Sequence, residues 1–403
     1  MTKPIELEDA LDELLQHLQP QQRITTVNLT NALKRYLAQD IYAPIDVPTF
    51  NRSAMDGYGV KSELTRGATK ETPVKFKVVA EMAAGATKDL DLQDDHAVRI
   101  ATGAPIPDGI DAVVRQEDTN QGEDIVEIHP EIHPFTNYGK KGEDIQKGEF
   151  ILAKNTKLNS IHIGMIASLG ITKVEVFEQI RIGIINTGSE LVEPGIPLED
   201  GQIYNSVKYI LLTRLKDFPI CFEFAKSLPD DAHVVCEEIQ QQIDQVDLII
   251  TTGGVSVGKK DIMHDCLKVL GAKQLFWRVN IQPGTPMLAS TYQGKLIVSL
   301  SGNPFAALTT FELLVKPILL AFMHTKDLTQ DKKEAILMHD FPKASKRRRF
   351  VRAYYESGEV YLPTSKHSSS VLSSMLGCNC FIDIPEGASK LTKGTPVQVV
   401  LLD

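Results

Sequence analysis

The chain has 403 residues, enough for roughly two to four domains and a large core. Hydrophobic residues make up 42% and charged residues 24%, an ordinary globular balance, and a net charge of −9 excludes a generic nucleic-acid or anionic-membrane binder while leaving room for a local basic pocket. The first 15 residues are acidic and amphipathic, with no basic segment followed by an apolar run, and no run of about 18 apolar residues occurs anywhere, so neither a signal peptide nor a membrane-spanning helix is expected.

In chain order, Ile5, Leu7, Leu11, Leu14, Leu15 and Leu18 recur at helical spacing, and a second short helix is expected from Thr30 to Gln39. Pro44 and Pro48 break the pattern. From Gly59 to about Asn137 the apolar segments are short, with turn residues between them, which predicts a small all-β domain. The stretch from Ile161 reads as a helix ended by Gly170. The β domain is therefore an insertion within a split helical element.

Strands and helices alternate from Ile180 onward. Strands are expected at 180–186, 246–252 and 295–300. Helices are expected at 207–215, 231–244 and 305–322, the last kinked at Pro317. Such alternation implies a parallel sheet wound on both faces. Beyond Lys326 the short strands return. Five cysteines in a chain this long do not form a disulfide framework, and Cys378 and Cys380 suit alternate positions on a strand, so a reducing cytoplasm is the simplest location.

Three of the apolar strands run into loops rich in glycine or small residues: RIGIINTGSEL, DLIITTGGVSVGKKD and KLIVSLSGNPFAA. Ligands of open α/β sheets sit beyond the carboxyl ends of the strands, and glycine lets backbone amides approach an anion. Alone, Gly253 and Gly254 read as a tight turn, and Asn303 with Pro304 as a capped helix start. Three such loops in one domain point instead to a phosphorylated ligand. Glu190, Asp230, Asp231 and Asp261 lie beside them. Carboxylates facing a phosphate repel it unless a cation intervenes, and Mg2+ commonly takes one or two carboxylates plus phosphate oxygens. Helix capping is the competing explanation for Asp230 and Asp231, and a first-turn acid for Glu190. His129 and His133, spaced like metal ligands, lie in a proline-flanked linker, and Lys346 to Arg349 form a basic run.

Across the chain, SAMDGY (53–58), RIATGAPIP (99–107), GEDI (142–145), NTGSEL (186–191), GGVSVGKKD (253–261), FWRVNIQPGTPM (276–287) and SGNPFA (301–306) occur in an order that resembles the MoeA and gephyrin E-domain family of molybdopterin molybdenumtransferases. The resemblance covers nearly the whole chain. It implies a multidomain α/β plus β fold: a split helical linker domain (1–45 and 141–178), an inserted small β domain (46–140), a central doubly wound α/β domain of the molybdopterin-binding type (179–326) and a C-terminal β domain (327–403). It also implies a homodimer, with adenylylated molybdopterin and molybdate as substrates, AMP released, and the upstream molybdopterin adenylyltransferase as a further partner. The cleft would lie between the α/β domain of one subunit and the small β domain of the other.

Carried over by motif position, Asp56, Thr102, Asp144, Glu190 and Asp261 are the catalytic candidates. Glu190, Asp230, Asp231 and Asp261 would hold Mg2+. The ligand-binding candidates are Thr187, Gly188, Gly253, Gly254, Ser256 and Gly258, then Arg278, Gln282 and Pro283, and finally Ser301, Gly302, Asn303, Pro304 and Arg352. The sequence departs from the family at Arg278 and Gln282, where lysines are usual, and at Gly139, where arginine is usual. Arginine keeps the charge in a different geometry, whereas Gln282 loses it. Arg352 matches a basic position and is expected to supply the missing charge. Lone adenylyltransferases of this type lack the flanking domains. A catalytically silent scaffold would have no need of the acid cluster.

Overall fold

The computed structural model describes residues 3–20, 22–86, 89–255, 262–323, 328, 331–363 and 371–402. They form two compact units, residues 26–33 with 37–175, and residues 1–25 and 34–36 with 176–403. The N-terminal helix α1 (Leu7–Gln16) buries Leu7, Ala10 and Leu14. It belongs to the second unit, where Glu6 accepts from the Asn280 amide and Ile5 bridges Val279. The sequence reading groups it instead with the split element.

The first unit is built on a five-stranded sheet: β1 (Gly57–Val60), β2 (Val74–Met82), β3 (His96–Ile100), β4 (Ala112–Arg115) and β5 (Ile125–Ile128), in the order β4-β1-β3-β2-β5. Successive residues point to opposite faces. Ala97 and Val114 therefore join one core cluster with Tyr58 and Phe76, while Val98 and Val113 join another with Met82 and Ile100. The expected helix from Thr30 to Gln39 does not form. Lys34 takes a φ of 64°, and the amides of Leu37 and Ala38 pair with the carbonyls of Thr156 and Glu175, so tertiary pairing overrides the local pattern. Helix α2 (Ser160–Ser168) does form, opened by a capping box between Asn159 and His162 and followed by Gly170 at φ 76°.

The second unit carries a six-stranded sheet. Its strands are β6 (Ile180–Thr187), β7 (Ile220–Leu228), β8 (Leu248–Thr252), β9 (Lys273–Trp277), β10 (Leu288–Tyr292) and β11 (Lys295–Leu300), ordered β7-β6-β8-β11-β10-β9. All run the same way except β10, so the sheet is mixed rather than purely parallel. Helices α3 (Ser206–Leu215), α4 (Ala232–Gln242) and α5 (Ile262–Leu270) follow β6, β7 and β8. Ile185, Ile249 and Ile297 pack with Val235, Ile239 and Met263 of α4 and α5. Their neighbours Ile184, Ile250 and Val298 are equally buried, so both faces are covered.

The helix after β11 starts as α6 (Pro304–Thr310), widens into a π-turn (Phe311–Val315), and resumes as α7 (Lys316–Phe322). Pro317 has no N–H to continue the ladder, and the π-turn absorbs the break where a kink was expected. Pro304–Phe322 has the length and hydropathy of a membrane span, but 83% of that window is buried inside the protein. Glu312 within it is 1% exposed and accepts from Arg214 Nε at 2.7 Å. The helix is a core element.

Strands β12 (Lys332–Leu337), β13 (Arg348–Glu356), β14 (Glu359–Tyr361), β15 (Cys380–Ile384) and β16 (Pro396–Leu401) close on themselves through β13–β15 pairing into a barrel, and Ile281–Gln282 runs parallel beside β13. All five cysteines are free. Cys380 opens β15 but Cys378 lies just ahead of it, so the two do not alternate on one strand. Burial pushes the Cys266 and Cys380 thiols up to about 12, which leaves them protonated and unreactive.

At the amino ends of the central strands, Asp247 collects three cations. Arg23 grips it with two nitrogens at 3.1 and 2.8 Å, Arg181 donates its N–H at 2.9 Å and a guanidinium nitrogen at 3.3 Å, and Lys295 lies 3.8 Å away. Burial alone would raise the Asp247 carboxyl, but the hydrogen bonds from Arg23 and Arg181 outweigh it and hold the pKa below the usual aspartate value. Stability from this group is therefore full above the unfolded pKa and disappears as pH falls through the folded one. Asp247→Asn should cost about 2 kcal/mol at pH 7, discounted for the half-exposed arginines. Urea melts at pH 7 and pH 3 check this: the gap between variant and parent should shrink at pH 3, and a gap of constant size contradicts the assignment.

Candidate functional site

The chain leaves β6, forms β7 on one side of it, and then crosses back to form β8 on the other. Between β6 and β8 the winding direction reverses, and the crevice beyond the carboxyl ends of such strands is where open α/β sheets bind ligands. A cleft of about 190 Å3 lies there. It is bordered by Thr187 and Gly188 at the end of β6, by Thr252, Gly253 and Gly254 at the end of β8, and by Gly302 and Pro304 after β11. The three loops singled out by sequence therefore meet at one cleft.

The loops meet backbone to backbone. Gly253 has φ 87°, and a Cβ there would sit 2.3 Å from the Thr187 carbonyl oxygen. Gly254 has φ 64°, and its Cβ would meet Ile262 at 2.6 Å. Both positions require glycine by conformation and by space. Beneath the loops, Asn186 is fully buried and donates to the Thr252 hydroxyl at 2.6 Å, and the Thr187 hydroxyl donates to the Thr252 carbonyl at 3.3 Å. These bonds lock the first loop onto the second. Asn303 caps α6 by accepting from Ala306 N–H, and Ser301 accepts from Asn303 N–H.

Two candidate acids, Glu190 and Asp230, border the cleft. Ser189 N–H reaches Asp230 at 3.4 Å. Asp231 instead caps α4, accepting from His233 N–H at 2.8 Å and Val234 N–H at 3.3 Å, so of the adjacent pair it is Asp230 that borders the cleft. Glu190 sits in the turn before the short strand Leu191–Val192 rather than in a helical first turn. Ser256, Gly258 and Asp261 lie outside the described residues. Among the described residues, no three His, Cys, Asp or Glu side chains are grouped to hold a metal. No described residue bordering the cleft is cationic. Among the described residues of the glycine-lined cleft, two carboxylates are a donor set that suits Mg2+ completed by ligand phosphate oxygens.

The fourth wall, Ile203 to Val207, was not legible as a site. Its trace in the sequence is the Asn205-Ser206 pair, an N-cap signal that says nothing of a ligand. Asn205 is 2% exposed; its oxygen caps Lys208 N–H and its amide donates to the Ser227 hydroxyl. Ser227 in turn donates to Glu193, which also holds Lys208 and Tyr209. Those bonds, Lys208 foremost, keep the Glu193 carboxyl below its usual range.

The remaining candidates of this unit lie around the 278–285 turn and the barrel. Arg278, at φ 71°, stacks its guanidinium 4.1 Å from the Trp277 ring. Gln282 precedes Pro283 and accepts from Arg349 at 2.8 Å, its register partner on β13. A cation therefore stands beside the position that lost one. Arg352, expected to supply that charge, is 2% exposed with its guanidinium 4.5 Å from the Phe305 ring, so its charge is spent inside the protein. In the other unit, Asp56 accepts from Thr102 N–H at 2.7 Å and its hydroxyl at 3.0 Å, bonds that hold the Asp56 carboxyl low. Asp144 is exposed. Gly139 lies on a strand against Arg52, and Arg52 pairs with Glu143 at 3.0 Å.

A glycine-lined cleft at the switch point of an α/β sheet, with a closed β barrel following it in the chain and a separate β unit preceding it, defines a multidomain α/β plus β protein. Three family models match in succession: the MoeA N-terminal region (domain I and II) over residues 5–170, a probable molybdopterin binding domain over 183–321, and the MoeA C-terminal region (domain IV) over 334–402. Similar proteins include the molybdopterin molybdenumtransferase of Staphylococcus epidermidis, 34% identical over 99% of this chain and 96% of that one. That of Bacillus subtilis is 35% identical over 99% and 94%. The crystal structure of a molybdopterin biosynthesis MoeA protein from Pyrococcus horikoshii covers 100% of both chains with a TM-score of 0.88 and 32% identity. The chain belongs to the MoeA family.

The loop geometry is directly testable. Gly253→Ala adds a methyl into the Thr187 carbonyl at a left-handed φ, and should cost about 2–3 kcal/mol and displace the first loop. Gly195→Ala, at φ 98° in open space, carries the conformational cost alone and should lose only about 1 kcal/mol. Thermal unfolding of the two variants side by side measures the difference; equal losses would dismiss the close approach.

Proposed function

We propose that this protein inserts molybdate into adenylylated molybdopterin and releases AMP, the last step in making molybdenum cofactor. The observation that carries the reading is the meeting of three glycine-containing loops and two carboxylates at the switch point of a sheet that matches a molybdopterin-binding family model. Full-length similarity to proteins named molybdopterin molybdenumtransferase supports the same reading. We further infer that it works in the cytoplasm as a Mg2+-dependent homodimer, with the Asp56–Thr102 pair and Asp144 facing the cleft of a second copy and an upstream adenylyltransferase handing over the substrate.

Each side chain then has a defined task. The glycine loops after β6 and β8 receive the phosphate, because the missing side chains let it come close to the backbone. Glu190 and Asp230, joined by Asp261, would hold Mg2+, which supplies charge neutralisation and Lewis acidity at the phosphoanhydride. The Asn186–Thr252–Thr187 bonds keep the two loops at fixed separation, so the anhydride is held in one orientation. Gln282 and Arg349 pair at the turn where molybdate, a tetrahedral dianion, would be received, with Arg278 earlier in the same turn. Arg349 brings the forked cation and Gln282 an amide.

The direct test supplies purified protein with adenylylated molybdopterin, Mg2+ and molybdate and follows AMP. Release should depend on molybdate, and Glu190→Gln and Asp230→Asn should each lower it about 100-fold, as removal of a charge-stabilising group at a reacting centre typically does. AMP release that ignores molybdate, or full activity in both variants, removes the reading.

A further inference from the structure

The cleft has a second edge that the phosphate chemistry does not use. Beside its glycine loops stand Leu191, Ile203, Tyr204 and Val207. Ile203 is 54% exposed and Tyr204 44% exposed, an unusual investment of large apolar surface in a segment of two strand residues. The segment is nonetheless held firmly. Ile203 N–H donates to the Glu190 carbonyl at 2.9 Å, and Asn205 N–H to the Val192 carbonyl at 3.0 Å. The Tyr204 hydroxyl donates to the Ile196 carbonyl at 3.1 Å. An aromatic side chain tied down at its polar tip, with the backbone on both sides fixed, presents its ring at little further entropic cost.

We propose that Tyr204 is the ring platform of this site: it stacks on the planar heterocycle of a phosphorylated ligand whose phosphate lies against the glycine loops. This rests on the reading of the cleft given above and assigns it a residue that selects ligands by their ring. The volume supports one ring with its phosphate. At about 190 Å3 the cleft is smaller than the roughly 300–1,000 Å3 that encloses a drug-sized molecule. The acids fit the same division, since Glu190 lies in the turn that carries Leu191 and its carbonyl accepts from Ile203, so the phosphate edge and the ring edge share one short ribbon. Adenine and pterin are both planar and polar-edged, and both occur in the proposed substrate. The shared chemistry is stacking, and the two sources are separable by experiment.

Titration calorimetry on the full chain, with Mg2+, would compare the parent, Tyr204→Phe and Tyr204→Ala against AMP, molybdopterin and the ring-free probe pyrophosphate. Loss of one stacking partner typically weakens binding about tenfold. Tyr204→Ala should weaken AMP or molybdopterin by that factor and leave pyrophosphate unchanged, and Tyr204→Phe should keep most of the ringed ligand's affinity. Whichever ringed ligand responds is the one that stacks. An equal loss for ringed and ring-free probes marks Tyr204 as merely structural and overturns the proposal, as does no loss for either ringed ligand. Failure of the parent to bind any of the three overturns the underlying reading of the cleft as well, and is distinguished by occurring without any substitution.

Discussion

The site depends on one close approach. The loop after β6 and the loop after β8 touch through the Thr187 carbonyl and Gly253, at a separation no side chain permits. Gly302, from the third loop, has Gly253 as its nearest neighbour, 3.5 Å from where its own Cβ would stand. With the backbones in contact, the three glycine loops border one small cleft. The fold makes the contact available by reversing its winding direction between β6 and β8, which leaves a gap at their carboxyl ends that no crossover helix fills. The buried Asn186–Thr252 bond then fixes the width of that gap from below.

Much of this was legible in the sequence, for a physical reason. Strands β6, β8 and β11 are buried on both faces, so they read as unbroken apolar runs, and the small residues after them mark the loops. The edge strand β7 was not legible, because Glu223, Lys226 and Ser227 break its apolar run, as suits a strand with one neighbour. The reversal of β10 was hidden too, since a strand's sequence does not encode its direction. For the pair Asp230 and Asp231, the sequence offers capping and ligand binding to both, and only the start of α4 separates them. The wall at Ile203–Val207 escaped entirely, since two strand residues between turns leave no periodicity to detect.

The same blindness applies to charge. Gln282 looks like a lost cation when read along the chain. Across the β13 register its neighbour is Arg349, which donates to it. Arg352 looks like a free cation, yet it stacks on Phe305 inside the protein. Residues distant in sequence decide both cases, so the local electrostatics of the barrel edge are a property of strand pairing rather than of composition. Asp247 follows the same logic at the opposite end of the sheet, where Arg23, Arg181 and Lys295 come from three separate segments.

These placements explain how an acidic protein can handle anionic ligands. Its net charge of −9 opposes them at long range, but the Debye length at physiological salt is about 8 Å, so only charges near the ligand matter. Under the proposed function, the glycine loops at the cleft attract phosphate through backbone dipoles, without carrying formal charge. Glu190 and Asp230 would cancel that attraction if they stood alone against the anion. Under the proposed function a cation completes the site, and a donor set of two carboxylates makes binding conditional on it. Ligand binding would then be coupled to metal binding through Coulomb's law. The aromatic edge at Tyr204 adds what electrostatics cannot provide, a preference for one phosphorylated molecule over another of equal charge.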